Sequence, residues 1–325
     1  MKRFIAFAWA LTAVVSMSLA LPVIAQDKID RPVKILVGFP PGGTADVMAR
    51  AVADKMKDTL GQPVIVENRP GAIGRIAADA VKSAAPDGTT IMVMPIGPMA
   101  VVPHTYKTLS YDPLKDFAPV GMGSTFQFAI AAGPQSGAKT WPEYVAWAKA
   151  NPGKSSYATS GAGSLPHFFG VLLSREAGIE MLHVPYKGSA AYMNELIGGN
   201  VPTAVDAIAD LTEQHRAGKV KILASSGKKR STAVPDVPTF AEIGVNGVEA
   251  EGWFGFFAPA KTPKAIVDLL NRSLNAALTS PDVAERLTKL GMDPAPSTPE
   301  EFGRILAADY AKWGPVIKAT GFTAE

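Results

Sequence analysis

The segment VKILVGFPPGGTADVMARAV occupies residues 33–52 and decides how the fold begins. Apolar, partly β-branched residues run up to Phe39 and predict a buried strand. Two prolines and two glycines follow, and a helical pattern starts directly after Gly43. A simple turn needs fewer special residues than this, so the loop requires a further explanation.

A second segment, SYATSGAGSLPHFFGVLL at residues 156–173, has the same design. A predicted strand ends at Thr159, a Gly-rich loop follows, and a helix is expected to begin near Pro166. The first turn of a helix has N–H groups without partners, and the helix dipole adds positive potential there. Glycines let a ligand approach such a backbone closely. Two loops of this kind predict an anion, such as a carboxylate, phosphate or sulfate, held from two sides.

The predicted substrate-binding residues belong to these two loops or are expected beside them. They are Phe39, Pro41, Gly42, Gly43, Thr44, Asp46, Arg75, Gly97, Ser160, Gly161, Gly163, Ser164, His167 and Asp206. We expect Gly43 and Gly163 to serve close approach to backbone donors or a positive φ. No catalytic residue, metal ligand or cofactor is predicted.

Three of these residues have alternative interpretations. Asp46 fits a favourable carboxylate in a first helical turn, and it could also bind a loop N–H group or a ligand donor. His167 fits a ligand contact or a local cap or core residue. Asp206 fits the inner edge of a cleft or a helix cap. The nearby Trp253 and Phe254 are expected in the core.

Composition and motifs exclude several classes of site. The 325 residues include no cysteine, which excludes disulfides, cysteine-ligated metals and a thiol nucleophile. The four histidines are scattered without metal-ligand spacing. Pro166 stands where a dinucleotide-binding loop needs its third glycine, and neither a phosphate-binding Gly-Lys-Ser/Thr nor a Gly-x-Ser-x-Gly motif occurs. The formal charge of +3 includes Lys2 and Arg3, so a basic surface for nucleic acid is poorly supported.

The N-terminus is typical of a secretory signal. A basic start precedes an apolar stretch, and Val23-Ile24-Ala25 ends in a small residue suited to cleavage. We predict a signal peptide at residues 1–25 and an exported protein that begins near Gln26. The alternative is an uncleaved membrane anchor.

Strand-like and helix-like segments alternate along the remaining chain, which predicts an α/β fold with parallel sheets and crossover helices. Three helices are expected at the C-terminal end, each after a Ser-Pro or Thr-Pro pair. Two candidate crossing segments divide the chain into a discontinuous first lobe, residues 26–125 plus 250–325, and a second lobe, residues 126–249.

The chain resembles the Bug-type receptors, the extracytoplasmic solute-binding proteins of tripartite tricarboxylate transporters. The resemblance is carried, in order, by FPPGGTAD, GQPVIVENRPGA, AAPDGTTIM, YDPLKDFAPV, SGAGSLPH, VPYKG, PDVPTFAEIG and WFGFFAPAKTP. It implies a two-lobed periplasmic binding fold of type II topology with the ligand cleft between the lobes. It also implies a small organic anion, usually a mono-, di- or tricarboxylate, held between residues 39–46 and 160–167, often with the help of ordered waters. The implied partners are the permease subunits, and a monomer is expected.

One segment departs from the pattern of that family. Such receptors usually read Gly-Ala-Gly-Gly-Asn-Ile-Gly where this chain has GAIGRIA, so Ile73 and Ala77 replace glycines and Arg75 replaces the asparagine. This difference predicts an altered choice of ligand, with Arg75 either facing the cleft or solvated on the surface. A periplasmic α/β enzyme and an orphan receptor that feeds a signalling partner remain alternatives.

Overall fold

The computed structural model describes residues 28–186 and 188–324, so the predicted signal peptide at 1–25 lies outside the described residues. The strands are β1 Val33–Val37, β2 Val64–Asn68, β3 Thr90–Pro95, β4 Phe117–Ala132, β5 Ser156–Thr159, β6 Leu182–Pro185, β7 Thr203–Ala207, β8 Lys221–Ser225, β9 Glu251–Pro259 and β10 Asp293–Pro294. The helices are α1 Thr44–Leu60, α2 Arg75–Lys82, α3 Val102–Thr105, α4 Trp141–Ala150, α5 Leu165–Ala177, α6 Ser189–Ile197, α7 Ile208–Arg216, α8 Lys264–Leu278, α9 Pro281–Lys289 and α10 Pro299–Ala319.

Two sheets share the long strand β4. The first has the order β2-β1-β3-β9-β4, in which β1 pairs in parallel with β2 and β3, whereas β9 runs antiparallel. The second has the order β6-β5-β7-β4, with β8 on the other side of β4. In each sheet, parallel strands in the order second-first-third end on an antiparallel strand that comes from elsewhere in the chain. This is the type II arrangement of periplasmic binding proteins.

The strand β4 runs for 16 residues although it contains Pro119, Gly121 and Gly123, which are residue types that usually interrupt strands. The structure accommodates them with register shifts at 119/121 and 122/124 in the ladder with β9. Such shifts let a strand bend without losing its partner.

The cores lie where helices cover these sheets. Apolar side chains of β1, β3 and β9 are almost completely buried, and α1, α8 and α10 pack on that sheet. Two of the three C-terminal helices begin with the N-cap residue that was predicted, which is Ser280 for α9 and Thr298 for α10. Thr298 also forms a reciprocal capping box with Glu301. The remaining C-terminal helix, α8, has Pro263 as its N-cap instead of the expected Thr262. Over residues 28–186 and 188–324, no helix is long and apolar enough to cross a membrane.

The division into lobes at residues 126 and 249–250 stays a prediction. The two sheets support it, because strands β5–β8 belong to the second sheet and all of them fall between those limits.

Candidate functional site

The two Gly-rich loops border one cavity of about 410 Å³. This volume lies within the range of small-molecule sites, roughly 300–1,000 Å³. The residues that line it are Phe39, Thr44, Ile73, Pro95, Ile96, Gly97, Pro98, Val102, Phe126, Phe128, Ser160, Gly161, Ala162, Gly163, Ser164, Leu165, Pro166, Asp206, Ala207, Ala209, Asp210, Phe254 and Met292. A larger groove of about 880 Å³ is more open, and neither Gly-rich loop contributes to it. We therefore take the smaller cavity as the candidate site.

Eight of the fourteen residues predicted from the sequence line this cavity: Phe39, Thr44, Gly97, Ser160, Gly161, Gly163, Ser164 and Asp206. The other six do not: Pro41, Gly42, Gly43, Asp46, Arg75 and His167. The structure thus brings the second loop and the start of α1 together at the cavity. Most of the first loop lies behind this lining and does not border the cavity.

Asp46 holds the first loop in place from within. Its Oδ2 accepts a hydrogen bond from the Gly42 N–H at 2.9 Å, and its carboxylate pairs with Arg50 and accepts from Asn68 Nδ2, each at 2.9 Å. The hydrogen bond from Arg50 lowers the pKa of Asp46 to about 2, with further help from Gly42 and Asn68, although burial opposes the shift. Asp46 is therefore ionised and stabilises the loop by binding a loop N–H group, as one of its interpretations predicted.

The glycines of the first loop have different roles. Gly42 has a φ of 83°, which favours glycine, and a Cβ there would meet open space. Gly43 is the N-cap of α1 and has an ordinary extended φ of −73°. Of the two roles expected of Gly43, a positive φ is excluded and belongs to Gly42 instead, whereas close approach to backbone donors stays a prediction.

The second loop also satisfies several of its own donors. The Ser160 N–H donates to Asp206 Oδ2 at 3.1 Å, and the Gly163 N–H donates to His167 Nδ1 at 3.2 Å. The Ser164 hydroxyl donates to the Gly161 carbonyl at 2.7 Å. These groups were expected to bind the ligand, but the loop uses them to hold its own shape.

Free donors remain at the first residue of each helix. Among the described residues, the backbone N–H groups of Thr44 and Leu165 have no hydrogen-bond partner. Both residues line the cavity, and each begins a helix of more than twelve residues. The cavity therefore receives the positive ends of two helix dipoles together with unpaired N–H groups, which favours an anion.

His167 is a core residue at the back of the second loop. Its ring stacks on His183 at a centroid distance of 3.8 Å and meets Phe322 edge-on at 5.4 Å. Burial lowers the pKa of His167 to about 4, and burial together with His167 lowers that of His183 to about 3. Both imidazoles are therefore neutral at pH 7, and of its two interpretations His167 fits the local cap and core role.

Gly163 occupies a position that only glycine fits well. Its φ is 71°, and a Cβ there would lie 2.8 Å from the ring of Phe322. The second loop therefore needs this glycine for its fold as well as for access to the backbone.

Arg75 does not line the cavity, so of its two interpretations the one outside the cleft fits the structure. Its guanidinium carbon lies 4.3 Å from the centroid of the Tyr106 ring, and its Nε donates to the Ala72 carbonyl at 3.2 Å. The ring face attracts the cation, which otherwise stands unfavourably in the first turn of α2.

Ile73 lines the cavity instead, at an unusual backbone conformation. Its φ of 56° and ψ of 42° are left-handed, which is rare for a β-branched residue. Its side chain is 46% exposed. Such strained positions cluster at functional sites. This is one of the places where the sequence departs from the glycine pattern of the Bug-type receptors.

Phenylalanines form much of the wall and were missed in the sequence. Phe126 and Phe128 lie two residues apart on β4 and therefore face the same side of the sheet. Phe254 of β9 packs against Phe126 at a centroid distance of 5.3 Å and was expected only in the core. Trp253 is in the core, where its Nε1 donates to Asp309. The alternation at 126 and 128 was the signal that could have revealed the wall.

Two carboxylates border the cavity at the second sheet. Burial raises the pKa of Asp206 to about 7, and the neighbouring Asp210 adds to the rise, against hydrogen bonds from the Ala207 N–H group and from the side chain and N–H group of Ser160. Burial also raises the pKa of Asp210. Asp210 is surrounded by protein, yet its side chain remains open to the water of the cleft. Within residues 28–186 and 188–324, no cluster of histidine and acidic side chains could hold a metal ion.

The model of the tripartite tricarboxylate transporter family receptor matches residues 48–322 of the chain. The chain belongs to this receptor family. Its fold agrees with that of the periplasmic binding protein BugD, which is 36% identical with a TM-score of 0.77 over 91% of this chain and 99% of that one. The expected fold class and family are thereby confirmed.

Two further structures of similar proteins contain ligands. MatC from Rhodopseudomonas palustris, solved with bound malate, is 33% identical and has a TM-score of 0.76 over 89% of this chain and 99% of its own. A second R. palustris protein, solved with adipate, is 32% identical and has a TM-score of 0.80 over 90% of this chain and 98% of its own. This receptor is thus similar to solute-binding proteins along almost its whole length.

Proposed function

We propose that this receptor captures a small organic carboxylate in the cavity between its two Gly-rich loops and delivers it to a tripartite tricarboxylate-type permease. The observation that carries the proposal is the pair of helix starts at one cavity. The unpaired N–H groups of Thr44 and Leu165 come from opposite sheets and border the same space. A carboxylate between them would accept from both and would lie at the positive ends of α1 and α5.

The remaining predicted residues act mainly through these donors. Asp46 and Gly42 order the first loop, and Asp206 and His167 order the second. Order that is present before binding lowers the entropy lost when the ligand arrives. The prolines that precede Gly42 stiffen the same loop, which explains why a strand should run into two prolines and two glycines.

The ligands of similar proteins support a carboxylate. Malate and adipate are bound by two proteins that are each about one third identical to this one. They are both dicarboxylates, but the chemistry shared with the proposed site is the single carboxylate that two helix starts can hold.

The surroundings of the receptor are part of the proposal. We place it in the periplasm after removal of residues 1–25, as a monomer that meets its permease with the ligand bound. BugD, a periplasmic binding protein, supports the location. We propose no catalytic activity, because among the described residues the paired histidines are neutral and do not line the cavity, and no nucleophile is activated beside it.

A thermal-shift screen with mono-, di- and tricarboxylates, aromatic ones included, tests this function. A ligand present at 100 times its Kd stabilises the folded protein by about 2.7 kcal/mol. The screen should be repeated with Leu165→Pro, which removes one of the two N–H donors at a position where the first helical turn accepts proline. Its control is Ser280→Ala, at a helix start away from the cavity. Failure of every carboxylate to stabilise the wild type contradicts the function, and turnover of a bound compound favours the enzyme alternative.

A further inference from the structure

The cavity combines an anion-binding end with a wall that repels a second anion. Among the described residues that line it, none is a lysine, an arginine or a histidine. Two of them, Asp206 and Asp210, are carboxylates. A ligand with a carboxylate at each end would bring its second charge to this wall, where none of the described lining residues supplies a compensating cation, and this is costly in a confined site.

The body of the cavity is apolar and partly aromatic. Phe126 lies 5.3 Å from Phe254 and 5.4 Å from Phe128, measured between ring centroids. Ile73 adds an exposed apolar side chain at a left-handed backbone position, and Phe39 is only partly buried. Ring faces and edges in this arrangement favour a flat apolar group that can stack or meet them edge-on.

Asp206 and Asp210 still have acceptor capacity. Each carboxylate oxygen of Asp206 accepts one N–H group, from Ser160 or from Ala207, and a carboxylate oxygen can accept a second hydrogen bond. Asp210 is open to the cleft, with the Ser189 hydroxyl as its favourable neighbour. A ligand group that donates a hydrogen bond would find acceptors here.

The two cations of a neighbouring pocket lie outside the lining of the cavity and have partners of their own. A pocket of about 360 Å³ shares Thr44 and Asp210 with the cavity and is also lined by Arg216 and Lys289. However, Lys289 pairs with Glu285 at 2.6 Å, and Arg216 donates to a backbone carbonyl. Glu213 adds a further negative charge to the same pocket.

From this arrangement we infer that the ligand is a monocarboxylate with an apolar, ring-sized body and a hydrogen-bond-donating group at its other end. The carboxylate binds at the starts of α1 and α5, the ring lies among the phenylalanines, and the donor meets Asp206 and Asp210. Above the raised pKa of Asp206, where this side chain is ionised, the two residues determine specificity by accepting a donor and rejecting a second carboxylate. The inference rests on the proposed function and narrows it.

The test is a calorimetric titration with ring compounds that differ in one substituent. Benzoate, 3- and 4-hydroxybenzoate, isophthalate and terephthalate carry a hydrogen, a hydroxyl or a second carboxylate at the position meta or para to the first carboxylate. The hydroxybenzoates should bind roughly tenfold more tightly than benzoate, the scale of one hydrogen bond to a charged group. The two dicarboxylates should bind at least tenfold more weakly than benzoate.

The variant Asp210→Asn tests whether the carboxylates of the cavity cause this order of ligand affinities. The variant should bind isophthalate or terephthalate about tenfold more tightly than the wild type does and lose most of the preference for a hydroxyl group. Asp206→Asn, which keeps an acceptor for the Ser160 N–H, is the second variant, and Asp54→Asn on the exposed face of α1 is the matched control. Melting curves establish that each variant is folded.

The outcomes separate the two levels of the proposal. Wild-type binding of the dicarboxylates as tight as that of benzoate, or an unchanged ligand order in both cavity variants, overturns the inference. Binding of malate or adipate without binding of any ring monocarboxylate also overturns it and leaves the carboxylate receptor standing. If none of these compounds binds, the proposed function fails together with the inference.

Discussion

Replacing Asp46 by asparagine should loosen the first loop without disturbing the cavity wall directly. The Asp46 carboxylate accepts hydrogen bonds from Gly42, Asn68 and two nitrogens of Arg50, at 2.9 to 3.0 Å. An asparagine side chain keeps one oxygen for Gly42. Its amide nitrogen would then face the donors of Arg50 or Asn68, so at least one of these contacts is lost.

The pKa of Asp46 provides the expected magnitude. Its fall from 3.8 to about 2 corresponds to roughly 2.4 kcal/mol, at 1.36 kcal/mol per pKa unit. The side chain of Arg50 is 48% exposed, so water screens part of this interaction. A loss of roughly 1–2 kcal/mol in the free energy of unfolding remains. Because the pKa is lower in the folded state, the contribution is complete above about pH 4 and is lost as the pH falls towards 2.

Urea unfolding at pH 7 and at pH 3 measures this contribution. Asp46→Asn should be less stable than the wild type at pH 7, and the difference should shrink at pH 3. Asp54→Asn on the same helix is the control, because that side chain is 74% exposed and should change stability by less than about 0.5 kcal/mol. Affinity for any carboxylate found in the screen should also fall, because binding must then order the loop. Equal stability of Asp46→Asn and the wild type at pH 7 would refute the reasoning.

Four further predictions concern the cavity and its surroundings. Burial raises the pKa of Asp206 from 3.8 to about 7, so between these pH values the folded state retains a proton that the unfolded chain has lost. The free energy of unfolding should therefore fall as the pH rises from about 4 to 7, and urea unfolding over this range should show a flatter profile for Asp206→Asn. Gly161 lines the cavity, and a Cβ added there meets no atom within 4 Å, so Gly161→Val should weaken benzoate binding at least tenfold in calorimetry and leave the protein folded. Gly303→Ala inside α10 should leave binding unchanged and slightly raise the melting temperature. Ile73→Gly relieves a left-handed backbone worth roughly 1–2 kcal/mol but adds about 0.5–1 kcal/mol of unfolded-chain entropy, so stability should change by no more than about 1.5 kcal/mol while benzoate binding weakens; loss of folding would contradict this. Arg75→Gln removes a contact of the cation–π type worth roughly 0.5–1 kcal/mol and should leave affinities for monocarboxylates and dicarboxylates in the same ratio, which the same titrations can check.

Local patterns in the sequence were enough to predict the strand-loop-helix units and the place of the cavity. The residues after β1 and after β5 carry their own signals, because prolines, glycines and capping residues act within a few positions of where they stand. Helix α1 starts directly after Gly43, as the sequence indicated, and α5 starts at Leu165, one residue before the expected Pro166.

The use of individual donors could not be predicted in the same way. The Ser160 N–H is taken by Asp206, which stands 46 positions further along the chain. Arg75 turns to Tyr106, and Phe254 reaches the cavity only because β9 pairs with both β3 and β4. Each of these contacts depends on the tertiary arrangement, which no local pattern encodes.

The strand β4 has a consequence for protein engineering by recombination. At about 3.3 Å per residue its 16 residues extend for roughly 50 Å, and its two halves belong to different sheets. A chimera that took its central segment from another receptor would have to be joined inside this strand, where Phe126 is paired with Gly252 and Phe128 with Ala207. A join displaced by one residue would turn every following side chain to the opposite face. Specificity can therefore be transplanted between such receptors more safely by exchanging side chains of the cavity than by exchanging whole segments.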